Sequence, residues 1–395
     1  MAAAAPTPSP FVASTRRFAP RLRSLLPSAA MSSASASAAA SAPKPSSGAG
    51  EEAQAPPLPH STLEIAGARQ GILSGFSSLR APYHAFPVFA SNRHVETIFA
   101  AFTRSLPAVK LRRECLRAPD DGAVALDWVS GDDRALPRDA PVLILLFYSA
   151  SFTGDLRQVI DHVLGRYPLS NVYAVGWSLG ANILVRYLGE ESDKCPLSGA
   201  VSLCNPFNLV IADEDFHKGF NNIYDKALAR ALRNIFKKHA LLFEDMEGEY
   251  DIPKAENAKT VRDFDEGLTR VSFGFKSVDD YYSNSSSSDS IKNVCIPLLC
   301  IQADNDPIAP SRGIPREDIK ANSNCLLIVT PKGGHLGWVA GDEAPFGCPW
   351  TDPIVMEYLE YLQNEKSSTA KNNISNEHQG VSEASAPHIA VHVQR

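Results

Sequence analysis

The sequence predicts an α/β protein, a mostly parallel sheet with helices on both faces and a helical insertion over the top of the sheet. Three observations predict it. Between residues 140 and 204, apolar runs of strand length alternate with stretches of helical periodicity. Two further apolar runs, "PLLCIQ" and "CLLIVT", follow after a long strand-poor interval. These runs are continuous rather than alternating, as suits strands buried on both faces.

In chain order, "KLRRECLRAP" and "AVALDWVSG" flank Pro119-Asp120-Asp121-Gly122, whose residues suit a tight turn, so 110–130 reads as a hairpin. "APVLILL" is a buried strand. Residues 155–166 follow as a helix with Leu156, Val159, Ile160 and Val163 on one face. "NVYAV" is the next strand, and "ANILVRYL" a helix that Gly189 can stop. "GAVSLC", "PLLCIQ" and "CLLIVT" add three strands, and "DPIVMEYLEYL" a closing helix. Only residues 205–290 break the rhythm, being helical and polar.

The folded part is expected at 80–364. Residues 1–60 read as an unstructured leader. The first fifty contain no Asp or Glu, are crowded with Ala, Ser and Pro, and carry Arg16, Arg17, Arg21, Arg23 and Lys44. That is the composition of an organelle transit peptide, with the chloroplast the expected address and the mitochondrion or cytoplasm the alternatives. Met31 offers an internal start. Residues 365–395 are rich in Ser, Asn, Lys and Glu and read as an unstructured tail. No apolar run reaches the ~18 residues a spanning helix needs.

A net charge of −6 leaves no basic footprint for nucleic acid. The seven cysteines are scattered and form no Cys-x-x-Cys pair, which fits free thiols in a reducing compartment. The sequence carries no His-Glu-x-x-His metal motif, and its one His-x-x-x-His spacing, His388 to His392, falls in the C-terminal stretch, so no metal or other cofactor is expected.

The strongest chemical signal is "NVYAVGWSLGANILVRYL", which contains Gly176-Trp177-Ser178-Leu179-Gly180. A bare G-x-S-x-G arises by chance in about one chain in ten of this length. Its position is the informative part: a strand ends at Val175 and a helix begins at Leu179. A serine on so sharp a turn is held in a strained backbone that projects Oγ above the sheet. The Leu179 N–H, first in the helix, points at the same space as one oxyanion donor. A serine hydroxyl needs a base, and the base needs an orienting group. "PLLCIQADNDPIAP" sets Asp306 just past a strand end, with Asp304 the alternative two residues earlier. "CLLIVTPKGGHLGW" sets His335 after a glycine pair beyond the next strand. Loops at the carboxyl ends of adjacent parallel strands meet at one edge, so Ser178, Asp306 and His335 can converge.

These residues, with "FASNRHVETIFAAF", "PDDGAVALDWV", "NPFNLV", "SVDDYY", "ADNDPIAP" and "GGHLGWV", resemble the α/β-hydrolase fold. The closer likeness is to the branch of plant embryogenesis-associated proteins, YheT-like hydrolases and abhydrolase-domain lipases, over about residues 85–360. The resemblance implies a Ser178–Asp306–His335 triad acting on short- to medium-chain acyl or lipid esters. It also implies that 205–290 is a cap. Within it Leu228, Leu232, Ile235 and Phe236 read as one apolar face of a helix, with Arg230, Arg233, Lys237 and Lys238 available for the other. Such a helix packs on the enzyme body, touches an anionic membrane surface or lines an acyl chain; membrane contact is peripheral at most.

One unit of the expected order is missing. Only 24 residues (147–170) separate Leu146 from Asn171, and one helix uses half of them. A further βα unit needs roughly 25 to 40 more residues. The resemblance places a glycine-rich loop, a helix and a strand between Leu146 and Phe147, and that loop supplies the second oxyanion donor. The missing strand belongs between "ALDWV" and "VLILL", so the sheet is expected to close up or to leave backbone groups exposed, with lowered stability. Two functional classes follow: a serine ester hydrolase with impaired oxyanion stabilisation, or a catalytically silent binding protein or nonfunctional splice or gene-model product.

Overall fold

The computed structural model describes residues 63–395, except 91, 104–109, 120–121, 130–136, 147–151, 244–249, 342, 375–388 and 395. The leader lies outside the described residues. So do the residues that join "VLILL" to the following helix, apart from Phe152.

Among the described residues, nine strands form one sheet. They are β1 (Glu64–Ala66), β2 (Leu111–Arg117), β3 (Ala123–Val129), β4 (Val142–Leu146), β5 (Val172–Trp177), β6 (Gly199–Leu203), β7 (Leu298–Ala303), β8 (Cys325–Thr330) and β9 (Ile389–Gln394). Their order is β1-β8-β7-β6-β5-β4-β9-β3-β2. From β9 through β4, β5, β6 and β7 to β8 neighbouring strands are parallel. The β2–β3 hairpin pairs antiparallel from Leu111↔Val129 to Arg117↔Ala123, as its sequence requires, and β1 closes the far edge antiparallel to β8.

Strands β6, β7 and β8 are buried on both faces, as is β5 up to Gly176, while β4 has Leu143 and Leu145 only partly buried. Period-2 alternation sorts their side chains between two cores. Val172 and Ala174 join Val142, Ile144 and Leu146 in a core covered by α2 (Thr153–Arg166) and α3 (Leu179–Glu191). Tyr173 and Val175 join Val201, Leu203, Leu299 and Ile301 in the opposite core. That core is covered by the closing helix, which runs Thr351–Ile374 and contributes Ile354, Tyr358, Leu359 and Leu362.

Four expectations about the sheet and its flanks change. The body begins at about Leu63 rather than residue 80: β1 pairs with β8, and Leu73, Phe76 and Leu79 insert into the second core. Gly189 does not end its helix but sits inside α3, where a Cβ would lie 2.7 Å from Ser290. The residues needed hydrogen there for close packing, not a left-handed cap. Third, the stretch expected to be an unstructured tail carries the end of the closing helix and β9. Its polar composition belongs to the residues before 389, whereas "IAVHVQ" has β-branched residues at alternate positions, a strand pattern. Fourth, the sheet neither closes up nor stands open between β3 and β4, because β9 lies there.

The described residues of 204–297, between β6 and β7, form the helical insertion. Its main helices are α4 (Leu209–Phe216), α5 (Asn221–His239) and α6 (Val278–Ser285), with a helical stretch over 261–272 that carries a π turn at Asp265–Thr269. Side-chain caps set the starts: Asn208 accepts from Ile211 N, Ser277 from Asp280 N, and Thr260 forms a capping box with Asp263. On α5 the buried residues are Asn221, Asp225, Ala229 and Phe236, while Ile235 is exposed. Ile235 therefore does not share the apolar face expected for it. A buried polar bridge fastens the insertion to the body: Asn182 of α3 donates to Ser285 O (2.8 Å) and accepts from Ser287 N (3.1 Å).

Candidate active site

The β5–α3 turn holds Ser178 at φ 53° and ψ −122°, a strained conformation for a non-glycine residue. The flanking glycines make the turn possible. A Cβ at Gly176 would lie 2.7 Å from the Ala181 Cα, and one at Gly180 only 2.3 Å from the Leu146 carbonyl oxygen. The second contact seats the start of α3 directly on the end of β4. Ser178 N donates to Leu203 O at 2.9 Å, which ties the turn to β6.

His335 bridges to this serine. Its Nε2 is 2.9 Å from Ser178 Oγ, and its Nδ1 is 2.8 Å from Asp306 Oδ2 and 3.1 Å from Oδ1. Asp306 is 3% exposed, and its Oδ1 accepts from the N–H groups of Ile308 (2.7 Å) and Ala309 (2.8 Å). Those donors hold the carboxylate in one orientation, facing the imidazole. Asp304, the alternative acid, has a side chain 63% exposed that accepts from Ser311 Oγ and faces Arg316. The geometry therefore brings Ser178, His335 and Asp306 together and leaves Asp304 outside. Leu179 opens α3 immediately after the serine. The stretch after β4, where the loop with a second oxyanion donor is expected to be missing, lies outside the described residues from 147 to 151.

The loop that carries the histidine is shaped by its glycines, Gly333 at φ 146° and Gly334 at φ 55°. Several of its backbone donors are met by side chains from elsewhere. His335 N donates to Thr97 Oγ1 at 2.9 Å, and Val339 N to the fully buried Glu96 at 3.0 Å. Gly334 N donates to Asn305, and Leu336 N to Cys204 Sγ. Glu96 and Thr97 belong to α1 (Arg93–Thr103), inside "FASNRHVETIFAAF". That motif contributes to the resemblance, yet its sequence alone assigns these two residues no role. The available signal is a Glu-Thr pair in the middle of an otherwise apolar helical run.

Among the described residues, one group of His, Cys and carboxylate side chains is close enough to share an ion: Cys204, Asp306 and His335. It is poorly suited to that task. Burial pushes the Cys204 thiol well up, so it stays protonated, and both histidine nitrogens already face partners. All seven cysteines are free thiols.

The chain is similar to several proteins of known type. The chain is 61% identical over 354 residues to embryogenesis-associated protein EMB8 of Picea glauca, covering 77% of each. It is 30% identical over 293 residues to the human phospholipase ABHD3, covering 62% of this chain and 71% of that one. With the monoacylglycerol lipase of Saccharomyces cerevisiae it shares 34% over 224 residues, 56% of this chain and 49% of the other. The family described as alpha/beta hydrolase fold matches residues 134–341, from ahead of β4 through the elbow to the histidine loop. More than half of the chain thus falls within that description, and it belongs to the alpha/beta hydrolase fold family, close to the plant EMB8 branch.

Proposed function

We propose that this chain hydrolyses carboxylic esters of short- to medium-chain acyl groups or lipids through an acyl-enzyme on Ser178. The observation that carries this is the unbroken relay from Ser178 Oγ through His335 to the buried Asp306. His335 Nε2 takes the serine proton as Oγ attacks the ester carbonyl. Asp306 keeps the imidazole in the tautomer that presents Nε2 as acceptor and stabilises the imidazolium that forms. The tetrahedral oxyanion rests on the Leu179 N–H, backed by the positive end of α3. Collapse expels the alcohol, which takes its proton from His335. A water activated by the same nitrogen then releases the acid. The lipid-ester substrate class is supported by the phospholipase and monoacylglycerol lipase relatives. Among the described residues no helix is long and apolar enough to cross a membrane.

The second oxyanion donor is, on this reading, absent because a loop–helix–strand unit is missing between Leu146 and Phe147. The alignment to the spruce relative supports this. It runs over 354 positions but uses 77% of this chain's 395 residues, about 304, so some 50 positions have no counterpart here. Loss of one donor costs about 2.7–4 kcal/mol of transition-state stabilisation, or 10²–10³ in kcat. Inserting the relative's extra segment after Leu146 is expected to raise kcat on p-nitrophenyl butyrate by that factor; an unchanged kcat removes the explanation.

The direct test is labelling with a serine-reactive fluorophosphonate. The folded chain is expected to label and Ser178→Ala to remain dark. A folded chain that does not label is the silent member of the fold, and labelling that survives Ser178→Ala places the nucleophile elsewhere. The first fifty residues of the leader, free of Asp and Glu and bearing four arginines, support chloroplast delivery. Residues 1–60 fused to a fluorescent protein should enter the plastid, and a fusion spread through the cytosol rejects that address.

A further inference from the structure

Strands β3 and β4 are neighbours in the sequence but do not pair with each other. Between them runs β9, antiparallel to β3 from Ala125↔Gln394 to Trp128↔Val391 and parallel to β4 from Val142↔Ile389 to Leu146↔Val393. A strand paired along both edges sits in the interior of the sheet, yet this one arrives from the far end of the chain. Fourteen residues, 375–388, connect it to the closing helix, enough to reach about 50 Å when extended. We propose that the space between β3 and β4 is a strand-binding slot. It takes an extended peptide, its resident is this chain's own Ile389–Gln394, and its occupancy holds β4 in place beneath the nucleophile elbow.

Three observations carry this. The flanking strands present a ready-made receptor: β3 and β4 each have one edge committed, to β2 and β5, and the other edge facing the slot. Main-chain pairing on both sides gives an entering strand its affinity without demanding a particular sequence. Second, the tether favours the chain's own segment. Fourteen residues of covalent tether hold the segment at an effective concentration in the millimolar range, above that of a second copy in dilute solution. Third, the slot touches the chemistry. The β4–β9 ladder runs to Leu146↔Val393, and Leu146 is the residue whose carbonyl the start of α3 packs against at Gly180. Emptying the slot leaves β4 paired on one edge only, at the point where it supports Ser178.

Hydrogen exchange on the full chain reads occupancy directly. The amides of 389–394 are expected to exchange at least a hundredfold slower than in a synthetic peptide of residues 386–395; equal rates overturn the proposal. A double variant, Leu126→Cys with Val393→Cys, joins a register pair. A disulfide within one chain supports the resident; a disulfide found only between two chains, or none, overturns it. A chain ending at Pro387 should bind the fluorescein-labelled 386–395 peptide one to one, and the same peptide carrying Val391→Pro should not bind. If the shortened chain does not fold, the exchange and cross-linking results on full chains decide. The activity arm rests on the reading of Ser178 as nucleophile: fluorophosphonate labelling should fall at least tenfold in the shortened chain and return with peptide. A full chain that never labels rejects that reading alone, whereas exchange and cross-linking still decide the slot.

Discussion

At the scale of single residues, the candidate site depends on a few backbone donors as much as on its three side chains. Thr97 accepts from the N–H of His335, and its loss leaves a buried donor unmet at about 1–3 kcal/mol. Thr97→Val is therefore expected to lower kcat on p-nitrophenyl butyrate about tenfold with little change in KM, and Thr97→Ser to retain activity. Equal kcat for the valine variant would show that the loop holds its histidine without this contact. The two candidate acids separate as cleanly. Asp306→Asn leaves the packing in place but presents the imidazole with a donor where it needs an acceptor, for a fall in kcat of about 10⁴. Asp304→Asn, on an exposed side chain, should leave kcat unchanged. Inversion of these two results in a single assay would reassign the acid.

At the scale of elements, the insertion carries a buried acid whose ionisation the fold opposes. Asp265 lies in the π turn and accepts from Tyr282 of α6 at 2.8 Å. Burial raises its carboxyl to about 6, against the pull of its hydrogen bonds. Between about pH 4 and 6 the folded chain therefore holds a proton that the unfolded chain has released. The associated stability is fully present below the unfolded value and is lost as pH rises through 6, up to about 3 kcal/mol. Urea midpoints at pH 4.5 and 7 should differ less in Asp265→Asn than in the parent chain. An equal loss in both would assign the pH dependence to another group. This turn sits two hydrogen-bonded steps from the elbow, since Asn182 of α3 holds Ser285 at the end of α6.

At the scale of the whole molecule, two apolar layers hold one sheet, and the candidate site stands where both meet the carboxyl ends of the strands. Ile354 of the closing helix is fully buried against the face opposite α2 and α3. Its replacement by Ala should cost about 2–5 kcal/mol through lost transfer energy and the cavity left behind. The urea midpoint should fall accordingly, while fluorophosphonate labelling below the transition stays at the parent level. Labelling that drops in parallel with stability would mean that the closing helix also shapes the site.

Most of the parallel sheet, and Ser178 and His335 of the candidate site, are legible in the sequence, because each rests on a local rule. Continuous apolar runs mark strands buried on both faces, and a serine between two close glycines marks a strained strand-to-helix turn. The order of Asp306 and His335 after successive strands puts them at one sheet edge. What the sequence leaves undecided is set by contacts between distant segments. Gly189 reads as a helix stop until Ser290 is seen against it, and Asp304 competes with Asp306 until burial separates them. Glu96 and Thr97 gain their roles only when α1 lies against the histidine loop, more than 230 residues later in the chain. The clearest case is Ile389–Gln394. Its alternation can make a strand anywhere, but a lone strand has nothing to pair with. Only the two waiting edges of β3 and β4 decide that it lies between them.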